Sequence, residues 1–85
     1  MKFNDFMGKL YSNGVGKAVV GTYWDSPFTG VIAEVRSRYG NDLAVTVMLD
    51  QPIEVRGHRR DSVLLDGSEL YKGGAGVTKD LQINL

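Results

Sequence analysis

Residues 28–65, FTGVIAEVRSRYGNDLAVTVMLDQPIEVRGHRRDSVLL, carry the clearest strand pattern and the clearest turn signals of the chain. Leu43, Val45, Val47 and Leu49 fall on one side of an extended strand, and Ala44, Thr46, Met48 and Asp50 on the other. A slip of one residue would turn all four large aliphatics outward, so this strand specifies its own register. In the strand before it, Phe28 to Arg36, Val31, Ala33 and Val35 are expected inward and Glu34 and Arg36 outward, with Ile32 an apolar exception on the outer face. Ser37 to Asp42 make the connecting hairpin loop, pivoting on Gly40-Asn41. Gln51-Pro52 interrupts the ladder, because proline has no N–H to donate. Ile53 and Val55 resume it, Gly57-His58 reverses the chain, and Arg59 to Leu65 form the next strand with Val63 and Leu65 inward.

Working outward, Lys17 to Trp24 read as a preceding strand that bends at Gly21, and Asp25-Ser26-Pro27 as a turn. Residues 2–13 place Phe3, Phe6, Met7, Leu10 and Tyr11 on one face of a helix that stops at Asn13-Gly14. Gly8 inside that helix costs about 1 kcal/mol relative to alanine, so the helix is expected to depend on docking as a lid over the core. Asp66 to Leu70 read as one helical turn, residues 72–76 as a flexible glycine-rich link, and residues 77–85 as a closing strand through Leu81, Ile83 and Leu85. The chain is therefore expected to be a single all-β domain over 1–85, with a helical cap at 2–13 and a small antiparallel barrel core at 17–65 of five or six strands in all. Its inward set is expected to be Val20, Val31, Ala33, Val35, Leu43, Val45, Val47, Leu49, Ile53, Val55, Val63 and Leu65.

Composition narrows the function classes. Ten basic and ten acidic side chains cancel, so no basic field covers the whole molecule and any electrostatic site is local. There is no cysteine, which removes disulfides, thiolate chemistry and the usual zinc sets. Neither a secretory leader nor an apolar run of membrane-spanning length is present in the sequence, and a soluble, cytoplasmic protein with no membrane partner is expected.

The candidate site is the arginine set Arg36, Arg38, Arg56, Arg59 and Arg60, with His58 and the loop aromatic Tyr39. Five arginines face only Asp42, Asp50 and Glu54 between residues 36 and 60, and the planar guanidinium fork suits phosphate or carboxylate. The plainer reading pairs them with Glu34, Asp50, Glu54 and Asp61 as solvated surface charge. Tyr23, Trp24, Phe28 and Tyr39 are either core aromatics or, for Tyr39 above all, a stacking surface. The GGAG run at 73–76 lacks the GK[ST] ending of a phosphate-binding loop. Catalysis is not expected. His58, Asp61 and Ser62 lie too close along one strand to meet as a triad, the carboxylates are scattered singly, and no metal or cofactor is implied.

The run VVGTYWDSPFTGVIAEV resembles the front of SH3-like small barrels of the KOW and Tudor type, over residues 18–36, through its strand, turn, Phe28-Thr29-Gly30 and β-branched strand. That resemblance implies an SH3-like barrel that binds without doing chemistry. The expected function is nucleic-acid binding through the arginines. The alternatives are a protein-interaction adaptor or inhibitor, of the kind found among phage or mobile-element accessory proteins, and a structural subunit of a symmetric assembly. The adaptor would dock on an acidic protein surface through its N-terminal helix or its C-terminal edge strand, and that strand would also serve a homo-oligomer.

Overall fold

The computed structural model describes residues 1–85, in the order α1 (Phe3–Asn13), β1 (Ala18–Tyr23), β2 (Ser26–Arg38), β3 (Asp42–Val55), β4 (His58–Asp66), α2 (Gly67–Lys72) and β5 (Thr78–Ile83). The first four strands form a meander whose turns use left-handed backbone. Gly40 and Asn41 (φ 78° and 58°) turn β2 into β3, and Arg56 and Gly57 (φ 52° and 79°) turn β3 into β4. Glycine and asparagine take positive φ readily, and of these four residues Arg56 alone is unusual there. The β1–β2 turn is less usual, because Trp24 and Asp25 occupy φ 47° and 63° while Tyr23 pairs with Ser26. A bulky aromatic rarely takes this conformation.

All five strands lie in one antiparallel sheet, ordered β4-β3-β2-β1-β5. The expected barrel is corrected here: the sheet is open. β4 pairs with β3 alone and β5 with β1 alone, so these two strands are its edges. The reason lies in α2, which connects β4 to β5 and packs on both and on β3. A helix stands where a closing ladder would have to run.

In β3 the alternation holds, with Leu43, Val45 and Val47 buried. In β2 it does not. Ile32 pairs with Val47 but Glu34 with Thr46, so Ala33 is an extra residue opposite the β3 ladder. The bulge lets Ile32 and Val35, three residues apart, both face inward, which regular alternation would forbid. Ile32 is 1% exposed and Val31 39%. In β1 it is Val19, across from Gly30, that is buried, while Val20 is exposed. Val20, Val31 and Ala33 therefore leave the expected inward set, and Val19, Phe28 and Ile32 enter it.

Two glycines allow the strands to meet this closely. A Cβ on Gly30 would stand 2.5 Å from the Met48 carbonyl oxygen and 2.7 Å from Val47 Cγ1. One on Gly21 would stand 2.5 Å from Leu81 Cδ2, where β5 shifts register against β1. Leu81 then joins Phe6 and Leu10 of α1 and Leu70 of α2 in the core. The Tyr71 ring joins the two helices, 5.2 Å from Phe3 and 5.3 Å from Phe6 between centroids. The N-terminal helix packs on the core through Phe6 and Leu10.

Polar side chains fasten α2. Asp42 Oδ1 accepts the backbone N–H groups of Leu43 (2.8 Å) and Ser68 (3.0 Å), and Oδ2 accepts the Ser68 hydroxyl at 2.6 Å. Partial burial alone would raise the Asp42 carboxyl, but these hydrogen bonds, with Arg38 nearby, hold it below its ordinary value. Glu69 accepts the Asp66 N–H at 2.7 Å through one oxygen and the hydroxyl of buried Thr78 at 2.7 Å through the other. The N–H groups of Gly73 and Gly74 both donate to the Glu69 carbonyl, and the Leu81 N–H to the Gly73 carbonyl, each at 2.9 Å.

Candidate functional site

The site begins where the sheet opens. The β2–β3 ladder runs no further than Gly30 and Leu49, and the β3–β4 ladder lapses between Met48 and Ile53. Asp50, Gln51 and Pro52 consequently have no strand partner on either side. Pro52 falls in this unpaired region, where a missing N–H costs no ladder bond, and Pro27 on β2 pairs with Thr22 of β1 but has no partner toward β3. Side chains bridge the gap instead. Thr29 Oγ1 donates to Asp50 Oδ2 at 2.8 Å, and Ser26 Oγ to the Glu54 carbonyl at 3.0 Å.

Two adjoining clefts result. One, of about 340 Å³, is lined by Pro52, Ile53, Glu54 and Arg59. The other, of about 270 Å³, is lined by Pro27, Phe28, Thr29, Gln51, Pro52 and Ile53. Pro52 and Ile53 form the wall they share.

Two arginines stand over aromatic rings at this end of the sheet. The Arg56 guanidinium lies 4.9 Å from the centroid of the Trp24 ring, and that of Arg60 lies 5.6 Å from that of Tyr23. Arg60 is also the ladder partner of Ile53, which places it beside the clefts. Four ion pairs are present: Arg36 with Glu34 (3.4 Å) and Arg38 with Asp66, and, at the cleft end, Arg59 with Asp61 (3.6 Å) and Lys79 with Asp25 (3.5 Å). Of the five arginines, Arg56 and Arg60 alone lack a carboxylate partner. Arg60 Nε donates to the Ser62 carbonyl at 3.3 Å.

The sequence-predicted residues divide into two groups. Arg36, Arg38 and Tyr39 belong to the β2–β3 hairpin, and Arg56, His58, Arg59 and Arg60 to the β3–β4 hairpin. Consecutive hairpins turn at opposite ends of the strand they share, and β3 is 14 residues long. The set does not converge. Tyr39 is fully exposed and stacks on nothing. The β1–β2 and β3–β4 turns, by contrast, fall at the same end, as alternate turns of a meander must. Tyr23, Trp24, Pro52 and Ile53 are thus the site residues that reading the arginines alone misses, and turn parity was the signal in the sequence that would have found them. His58 is exposed, and no three His, Cys, Asp or Glu side chains lie close enough together to hold a metal ion.

A family model described as glyoxalase superfamily protein matches residues 4–66, from α1 to the end of β4. No curated protein and no solved structure matches the chain. The match includes all of residues 18–36 and overturns their resemblance to SH3-like barrels of the KOW and Tudor type, and with it the function drawn from that resemblance. Nucleic-acid binding through a single arginine face is corrected on both counts, by the family and by the division of the arginines between two ends of the sheet.

Proposed function

The chain belongs to the glyoxalase superfamily protein family, and from that premise we propose that it is a small-molecule-binding domain whose site is the opening of the sheet on both sides of Asp50–Pro52 in β3. The observation that carries this reading is the unpaired segment Asp50–Pro52, which leaves two adjoining clefts with a common apolar wall at Pro52 and Ile53. A sheet that forgoes its ladder there leaves backbone polar groups beside apolar side chains, the mixture that small ligands use for orientation and affinity. The larger cleft is at the small end of ligand-site volumes, about 300 Å³ and upward, so the ligand is a compact one.

The test is a fragment screen on the ¹⁵N-labelled chain. Amide shifts are expected to gather at Thr29, Gln51, Ile53 and Glu54, and Ile53→Trp is expected to abolish them by filling the wall while thermal unfolding stays cooperative. Shifts gathered on the outer face of the sheet, around Val31 and Met48, would overturn the reading.

A further inference from the structure

Away from the clefts, we infer that the outer face of the sheet is the contact surface of a symmetric homodimer, two copies packing sheet on sheet about Val31 and Met48. Both helices cover the inner face, where Phe6 and Leu10 of α1 and Leu70 of α2 share one core with Val19, Ile32 and Val47. No element of residues 1–85 covers the other face. There Ala18, Val31, Met48 and Ser62 are ladder partners in one row across four strands. Val31 is 39% exposed and Met48 48%, with Val20 (38%) and Leu64 (57%) beside the row. The row carries no charge. Glu34 with Arg36, and Asp50 with the Thr29 hydroxyl, lie along the strands on either side of it and are already partnered. An uncharged centre that includes methionine, with polar groups around it, is the composition of a protein contact.

Self-complementarity selects a second copy as the occupant. β3 and β1 flank β2 on opposite sides. A two-fold axis parallel to β2 therefore carries β3 of one copy over β1 of the other, with Val31 meeting its own counterpart. Met48 of each copy then stands over Ala18 of the other. Ala18 borders a hollow of about 270 Å³ lined also by Val20, Gln82, Ile83 and Asn84. The unbranched, flexible side chain of methionine suits such a hollow. The area agrees. Five strands about 4.8 Å apart, over eight residue pairs at about 3.3 Å each, make a face of roughly 600 Å². Stable interfaces begin at about 600 Å² per partner, so the dimer is a weak, concentration-dependent one.

The experiment is sedimentation equilibrium of the full chain from about 1 μM to about 1 mM, a range that brackets a weak contact. A monomer–dimer equilibrium is expected, little changed by salt because its centre is apolar. Val31→Lys and Met48→Lys each place two charges in the contact, one per copy, and each is expected to weaken association about a hundredfold or more. Both positions are exposed, so thermal unfolding of the variants at low concentration should match that of the parent. In mixed labelled and unlabelled protein, NOEs are expected between the Met48 methyl of one copy and the Val20 methyls of the other. A monomer throughout the range overturns the inference. So does a dimer that both substitutions leave intact, which would place the contact on the edge strands β4 or β5. A dimer weakened by both substitutions but lacking these NOEs overturns the two-fold orientation.

Discussion

The guanidinium of Arg56 lies over the ring of Trp24, 4.9 Å from its centroid, and this contact joins the turn between β1 and β2 to the turn between β3 and β4. Trp24 is the single tryptophan of the chain, so its fluorescence reports the contact directly. Arg56→Ala is expected to change the emission maximum or yield of the folded protein and to lower stability by no more than about 1 kcal/mol, the scale of an exposed cation–π pair. Identical spectra for the two proteins would mean that the stack does not persist in solution.

The bulge at Ala33 decides which β2 side chains support the core. Ile32→Ala is expected to cost about 2–5 kcal/mol, the range for emptying a fully buried aliphatic site. Val31→Ala, at a position 39% exposed, should cost less than about 1 kcal/mol. Urea midpoints of the two variants distinguish the bulged strand from a regular one, for which the order would reverse.

Two glycine substitutions should move stability in opposite directions. Gly30→Ala forces a methyl group to within 2.5 Å of the Met48 carbonyl oxygen, a backbone clash expected to cost about 1–3 kcal/mol or more. Gly8 lies within α1 with nothing inside 4 Å of its missing Cβ, so Gly8→Ala should stabilise by about 0.5–1 kcal/mol. Thermal unfolding measures both, and a loss at Gly8 would place a neighbour where the helix shows open space.

Asp42 should shape the acid limb of stability. Its carboxyl titrates lower in the folded chain than its ordinary value, so the folded state binds fewer protons than the unfolded one as pH falls. The stabilisation is fully present above the unfolded value of about 3.9 and is lost as pH falls through the lower folded value. Asp42→Asn should therefore be less stable than the parent at neutral pH, and the gap should close on acidification. A gap that stays constant from neutral pH to below the folded value would show that the charge of Asp42 contributes nothing.

How legible the chain was depended on the range of the interaction. The faces of β3, the helix over Phe3–Asn13 and the Gly40–Asn41 turn are properties of neighbouring residues, and reading neighbours was enough; the other two turns lie one residue earlier than expected, at Trp24–Asp25 and Arg56–Gly57, because strand pairing runs on to Ser26 and His58. The faces of β2 were not open to that reading, because the extra residue at Ala33 exists only in relation to β3. Closure was also out of reach: whether β4 and β5 pair depends on where α2 packs, which strand periodicity does not encode.

The arginines show the same division. Their number and chemistry are sequence facts, and in sequence Arg38, Arg56 and Arg60 are equivalent. Tertiary structure separated them. Arg38 meets Asp66, 28 residues away, while Arg56 and Arg60 meet rings of the β1–β2 hairpin. Which charge is matched and which stays available depends on strand register and on the end of the sheet at which each hairpin turns. Those relations exist only once non-adjacent strands have packed.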